Sequence, residues 1–297
     1  MSHVLVLTAA HADLGDADLR TAEAAFGTAG IQVNDLRWLA PGKAVELAFN
    51  RGATADVADL VRAALAGRAI DANVVAAAGR RKGLLVADME STIIENEMLD
   101  ELADIAGIGA QIAAITRAAM NGELDFFAAI RERVALLRGL SEGALAQSAD
   151  RIRIMPGART LVATMKANGA YCALVSGGFT WFTSRIRMEL GFDEDRANLL
   201  VVEEGQLAGT VAEPILGREA KLASLEELAA VRGLDLEATI AVGDGANDLA
   251  MLGRAGFGVA YHAKPVVAAA AGIRVDHCDL TALLYLQGYR EDEFVGG

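Results

Sequence analysis

Short aliphatic and β-branched runs alternate with longer Ala- and Leu-rich stretches along this chain. In the first 80 residues, apolar runs bounded by Gly, Asp and Pro predict strands at 4–8, 31–38, 44–49 and 71–76. Ala/Leu-rich periodic stretches at 17–29 and 54–66 predict helices between them. The order βαββαβ suits a small α+β sandwich. A second pattern starts with the apolar run 84–87, a predicted strand, followed by helical periodicity over 96–150. There Met98, Leu102 and Ile105 share one helical face, and Gly107, Gly122, Gly139 and Gly143 divide the stretch into several helices. After Pro156-Gly157, predicted strands at 170–175, 239–242 and 256–260 alternate with helices ending at Gly169 and Gly191 and spanning 219–231 and 247–254. A hairpin is predicted around Glu204-Gly205. Strands alternating with helices predict an α/β fold with a parallel sheet covered on both faces.

Composition supports burial: 53% of the 297 residues are hydrophobic and the mean hydropathy is +0.31, which excludes global disorder. The net charge of −13 comes entirely from residues 83–297, because residues 1–82 carry nine basic and nine acidic side chains. An acidic chain is a poor partner for a nucleic-acid backbone. The triplet Arg80-Arg81-Lys82 marks the composition break and reads as a solvated linker. Two cysteines, Cys172 and Cys278, make no disulfide framework, so a reducing, cytoplasmic setting is expected. The N-terminal run lacks a basic segment and soon meets Asp13, Asp16 and Asp18, unlike a signal peptide. No uncharged run is apolar enough to predict a membrane helix. The four histidines are scattered without metal-ligand spacing.

Three apolar strands end in polar residues: Asp88, Ser176 and Asp244. In open α/β sheets the ligand crevice lies at the carboxyl ends of the strands, so these three can converge. Asp88 and Asp244 offer hard oxygen ligands suited to Mg²⁺. Ser176 with Gly177 and Gly178 offers a hydroxyl and close backbone N–H groups for phosphate oxygens. Lys221 can add one positive charge. Glu90 lies two residues beyond Asp88, so one carboxylate can attack while the other moves a proton.

These residues resemble the motifs of phosphoserine phosphatases in the haloacid dehalogenase (HAD) superfamily. DMESTIIENEMLDELA at 88–103 resembles the first motif, Ser176-Gly177-Gly178-Phe179 the second, Lys221 the third, and GDGAND at 243–248 the fourth. TRAAMNGELDFFAAIRERV at 116–134 resembles the serine-recognising helices of that family. The resemblance covers about residues 84–285. It implies a Rossmann-like parallel sheet over 81–297 with a helical cap inserted at about 96–153. Asp88 is then the nucleophile, forming an aspartyl-phosphate, and Glu90 the proton donor and acceptor. Mg²⁺ is held by Asp88, Asp244 and the backbone carbonyl of Glu90. Ser176, Gly177 and Lys221 hold the phosphate, Asn247 contacts substrate or water, and Asp248 supports the metal site or Lys221. Glu97 takes the ammonium and Arg133 the carboxylate of O-phospho-L-serine, with Phe126 and Met120 as an apolar wall. The family carries Asp where this chain has Glu90, which adds one methylene of reach. The implied activity is hydrolysis of O-phospho-L-serine, the last step of L-serine biosynthesis. The alternatives are a related phosphatase or phosphotransferase for another small phosphomonoester, and a catalytically decayed amino-acid-binding regulator. Residues 1–80 look like an ACT-type regulatory or dimerisation domain, by element order rather than by motif, so a homodimer is expected.

Overall fold

The structure, a computed structural model, describes residues 3–50, 54–120 and 123–296. Its first part comprises β1 (His3–Ala9), α1 (Asp16–Thr28), β2 (Val33–Ala40), β3 (Ala44–Phe49), α2 (Thr54–Ala64) and β4 (Ile70–Ala76). The strands form an antiparallel sheet in the order β2-β3-β1-β4. Side chains alternate across a strand, and both faces of β1 are apolar. Leu5, Leu7 and Ala9 pack with Phe26, Leu47, Phe49 and Val61 beneath the two helices. Val4 and Val6, on the opposite face, join Leu39, Ala44 and Val75 in the core shared with the rest of the chain. The N-terminal sheet is therefore fused to its neighbour by an apolar layer.

The second part begins with β5 (Leu84–Ala87). Four helices follow: α3 (Met98–Ala106), α4 (Gly109–Met120), α5 (Phe126–Ala135) and α6 (Glu142–Ala149). Then come α7 (Ala158–Ala167), β6 (Tyr171–Phe179), α8 (Thr180–Leu190), β7 (Glu194–Asn198) and the hairpin β8 (Leu200–Glu203) and β9 (Gln206–Val211). The remainder is α9 (Arg218–Val231), β10 (Thr239–Gly243), α10 (Leu249–Arg254), β11 (Phe257–Tyr261), α11 (Pro265–Ala270), β12 (Ile273–Val275) and α12 (Ala282–Leu286). Six strands pair in parallel in the order β12-β11-β10-β5-β6-β7. Leu85, Ala87, Leu174 and Val242 pack on one face, and Leu84, Val86, Val175 and Ala241 on the other. This double burial explains the continuous apolar runs.

The four-helix insertion leaves and rejoins the sheet through two short antiparallel segments. Glu95 N–H donates to Arg153 O at 2.9 Å and Met155 N–H to Ile93 O at 2.9 Å. The β8–β9 hairpin grips the insertion from a third side. Gly139 N–H donates to Leu207 O, Leu207 N–H to Leu140 O, and Glu142 N–H to Gly205 O, all at 2.8–2.9 Å. Gly209 permits this approach: its φ is +73°, and a Cβ there would lie 2.8 Å from Arg138 Cβ.

The predicted strands and hairpin form within a few residues of the expected bounds, but β7, β12, α11 and α12 were not anticipated. β7 reads Glu-Asp-Arg-Ala-Asn, and as an edge strand it buries only Asn198, so no apolar run announces it. The expectation of a solvated linker at Arg80-Arg81-Lys82 is wrong for two of the three residues. Arg80 is 8% and Lys82 6% exposed. Arg80 donates to Glu46 Oε2 at 2.7 Å and to the carbonyls of Leu286 and Tyr285. Lys82 donates to Gly79 O and Glu237 O, and its ammonium lies 3.9 Å from the centre of the Phe257 ring. The basic residues bolt the two sheets together instead of spacing them. Nearby, Asp71 of β4 accepts from the backbone N–H groups of Asp276, His277 and Cys278. The Asn73 amide pairs with both the N–H and C=O of Arg274, in the manner of a strand.

Candidate active site

β10, β5 and β6 are adjacent in the sheet, so Asp244, Asp88 and Ser176 come side by side at their carboxyl ends. Asp88 extends the ladder by one residue, its N–H donating to Val242 O at 3.0 Å. Its Oδ1 accepts from Met89 N–H at 2.8 Å, and its Oδ2 lies 2.7 Å from Lys221 Nζ. Lys221, on the first turn of α9, is 2% exposed and also sits 2.7 Å from Asp248 Oδ1. Lys221 is thus a buried cation and not a solvated surface lysine. Asp248 Oδ2 accepts from Gly245 N–H at 3.1 Å. A Cβ at Gly243 would overlap the Asp248 carboxylate, so glycine is required there.

Burial pushes the Asp88 carboxyl up to about 7; Lys221 opposes this, and Asp248 and Asp244 add to it. Burial alone would lower the Lys221 pKa, but Asp88 and Asp248 together raise it above the ordinary lysine value. The lysine is thus held as a cation. Glu90 is pushed up to about 8, by burial first and then by the Glu97 carboxylate, against the pull of the Met98 N–H. That N–H, at the start of α3, donates to Glu90 Oε1 at 2.8 Å. Gly178 makes room for the other oxygen: a Cβ there would stand 3.0 Å from Glu90 Oε2 and 3.2 Å from Ser176 Oγ. The Glu90 carboxylate is therefore seated between the start of α3 and Gly178.

Ser176 is buried, and its Oγ accepts from Gly178 N–H at 2.9 Å. The Gly177 carbonyl accepts from the Asn198 amide at 2.8 Å. Glu97 lies in the cleft with Oε1 accepting from Ser91 Oγ at 2.7 Å. Arg133, on α5, has its pKa lowered by burial, countered by Asp100, Glu90 and Glu97, which places it within their electrostatic reach. Phe126 Cζ lies 3.8 Å from where a Cβ on Gly177 would stand, so α5 of the insertion overhangs the strand ends. Asn247 is exposed beside Asp248. The side chain of Met120 lies outside the described residues.

Asp88, Asp244 and Asp248 present carboxylate oxygens within 4.8 Å of one another. Three buried carboxylates face one buried ammonium, so the site has an excess of negative charge. The donors are all hard oxygens, a set that suits Mg²⁺. Three neighbours escaped the sequence reading. Lys264 Nζ is 3.5 Å from Asp244 Oδ2, Phe127 Cζ lies 3.2 Å from where a Cβ on Gly217 would stand, and Asn198 is buried behind Gly177. Lys264 follows the end of β11 by three residues and was findable by the same strand-end rule. Neither Phe127 nor Asn198 carries a local signal.

The profile of the haloacid dehalogenase-like hydrolases matches residues 85–253, more than half of the chain. The chain belongs to that family. It is 41% identical over 255 residues to the phosphoserine phosphatase of Streptomyces coelicolor, covering 85% of this chain and 62% of that one. It is 44% identical over 199 residues to the phosphoserine phosphatase of Streptococcus thermophilus, covering 67% of this chain and 93% of that one. A crystal structure of a haloacid dehalogenase family hydrolase from Salmonella enterica serovar Typhi superposes with a TM-score of 0.86 at 30% identity, over 96% of this chain and 98% of that one. The chain spans 53% to 65% of the length of four of the curated relatives it matches. No helix among the described residues is long and apolar enough to cross a membrane.

Proposed function

We propose that this chain is a Mg²⁺-dependent phosphatase that hydrolyses O-phospho-L-serine to L-serine and phosphate, the last step of L-serine biosynthesis. The observation that carries this reading is the Asp88–Lys221 pair at 2.7 Å, set at the strand ends with Glu90 held protonatable near neutral pH. An Asp88 carboxylate oxygen attacks phosphorus, and the bond from phosphorus to the serine oxygen breaks. Glu90 gives its proton to that leaving oxygen. The Glu90 carboxylate then takes a proton from water as the water oxygen attacks phosphorus. The Asp88–phosphorus bond breaks, which frees phosphate and restores Asp88.

Ser176, the Gly177 backbone and Lys221 hold the phosphoryl oxygens, and Asn247 contacts the substrate or the water. Mg²⁺, held by Asp88, Asp244 and the Glu90 carbonyl with Asp248 in support, would supply charge neutralisation on those oxygens. Glu97 and Arg133 fit the ammonium and carboxylate of an amino acid, Arg133 through its planar fork. The phosphoserine phosphatases of Streptomyces coelicolor and Streptococcus thermophilus support the substrate. We further propose that residues 1–80 form an ACT-like regulatory or dimerisation domain of a cytoplasmic homodimer; the position of β2 at the edge of its sheet among the described residues supports the pairing.

The test is phosphate release from O-phospho-L-serine with Mg²⁺, for wild type, Asp88→Asn and Glu90→Asp. Wild-type turnover abolished by Asp88→Asn and by EDTA is expected. Turnover only of other phosphomonoesters would overturn the substrate. Turnover only in Glu90→Asp would mean a decayed enzyme, and the binding-regulator reading would replace this one.

A further inference from the structure

We infer that Asn198 is a positioning residue that holds the two phosphate-gripping segments at a fixed separation; this rests on the phosphatase reading above. Asn198 ends β7 and is 2% exposed. The β6–β7 ladder is regular up to Val175 opposite Arg196, and its next pair is Phe179 opposite Asn198. Three residues of β6, Ser176, Gly177 and Gly178, therefore stand against the single Ala197. The ladder breaks where the chain must turn its hydroxyl and N–H groups toward a ligand.

The Asn198 amide repairs that break on one side and reaches a second segment on the other. Its Nδ2 donates to Gly177 O at 2.8 Å and to Leu216 O at 3.3 Å. Its Oδ1 accepts from Leu216 N–H at 2.7 Å. A primary amide has the shape and polarity of a peptide group, so this side chain pairs with Leu216 as a neighbouring strand would. Leu216 immediately precedes Gly217, the N-cap of α9, and Lys221 lies on the first turn of that helix. One buried side chain thus ties Ser176-Gly177 to the helix that carries Lys221. It touches neither Asp88 nor the place of the substrate.

A buried polar group left without its partner carries the full cost of its desolvation, which favours movements that find it another. Without the amide, the Gly177 carbonyl and both polar groups of Leu216 lose their partner, and the two segments are free to separate. Small displacements of this kind cost rate steeply: about 1 Å of misplacement costs on the order of 100-fold.

The experiment compares full-length wild type with Asn198→Ala and Asn198→Asp. The readouts are binding of inorganic phosphate by calorimetry with Mg²⁺, kinetics on O-phospho-L-serine, and thermal melting. For Asn198→Ala, a cooperative melt, a Kd for phosphate raised roughly 10-fold or more and a kcat lowered about 10- to 100-fold are expected. KM is expected to change less than kcat, because Glu97 and Arg133 are untouched. If Asn198→Ala does not fold, Asn198→Asp carries the test. It keeps the acceptor for Leu216 but loses the amide donor, and the same loss of phosphate affinity is expected. A lowered melting temperature with phosphate Kd and kcat both at wild-type values would overturn the inference. A wild type that binds phosphate but leaves O-phospho-L-serine intact would overturn the substrate reading alone, with the phosphate titration still deciding on Asn198.

Discussion

Replacing Arg80 with Met removes a buried cation without leaving a large void. The guanidinium holds Glu46 Oε2 at 2.7 Å, Leu286 O at 3.1 Å and Tyr285 O at 3.2 Å. Breaking a buried ion pair by removing one partner costs about 3–5 kcal/mol. Glu46 keeps Arg37 at 2.7 Å, which favours the lower end of that range. The Leu286 carbonyl, left unpaired, adds about 1 kcal/mol, whereas Tyr285 O keeps Gly288 N–H at 2.9 Å. A loss of about 3–5 kcal/mol is therefore expected. At about 2–4 °C per kcal/mol for a chain of this size, the melting temperature falls by roughly 6–20 °C. The assay is thermal unfolding of wild type, Arg80→Met, Glu46→Gln and the double variant at neutral pH. The double-mutant cycle should show a coupling of about 1–3 kcal/mol. Arg81→Met is the control. Arg81 is exposed, pairs with Glu293 and stacks on Tyr289, so its loss is expected to cost under about 1 kcal/mol. Equal, small effects for Arg80→Met and Arg81→Met, with no coupling to Glu46, would show that the triplet is a solvated linker after all and refute the reasoning.

Lys221→Met leaves the buried carboxylates of Asp88 and Asp248 without their shared cation. Turnover is expected to fall by about 10²–10³-fold or more, measured as phosphate release at saturating substrate; near-normal kcat would deny Lys221 its role. Gly178→Ala places a methyl group 3.0 Å from Glu90 Oε2 and 3.2 Å from Ser176 Oγ. It should cost about 1–3 kcal/mol in a denaturant titration and reduce kcat, and pairing it with Glu90→Asp should recover part of that kcat because the shorter side chain withdraws from the methyl. Cys172, pushed up to about 12 by burial, and Cys278, also raised by burial, remain protonated thiols at neutral pH. Mass spectrometry after iodoacetamide at pH 8 should find neither modified until denaturant is added.

The strand-end residues were legible because each closes an apolar run, and parallel strands bring such ends into one row. Asp88, Ser176 and Asp244 needed no tertiary information beyond that rule. The structure brings Lys221 and Asp248 to the same point. Arg80 and Lys82 were misread for a physical reason. Consecutive charges look solvated, and their partners, Glu46, Tyr285, Leu286 and Glu237, lie 34 to 206 positions away. β7 was invisible because an edge strand needs little apolar surface, and Asn198 because its partners belong to two other segments. The Glu90 substitution was visible as a departure, but its accommodation depends on Gly178, 88 residues further along.

The hairpin that grips the four-helix insertion changes how that insertion can move. Two chain crossings, at Ile93–Glu95 and Arg153–Met155, would act as a door hinge and let the helices swing freely about one line. The three hydrogen bonds to the hairpin, at Gly205 of its turn and Leu207 of β9, add a third support off that line. A body held at three non-collinear points cannot rotate unless one support yields or travels with it. Opening the cleft therefore requires the hairpin either to release Gly139, Leu140 and Glu142 or to ride outward with α5. The hairpin leads directly back into β7 through Leu199. Any outward ride pulls on the end of the strand that carries Asn198, which couples access to the cleft with the placement of Gly177.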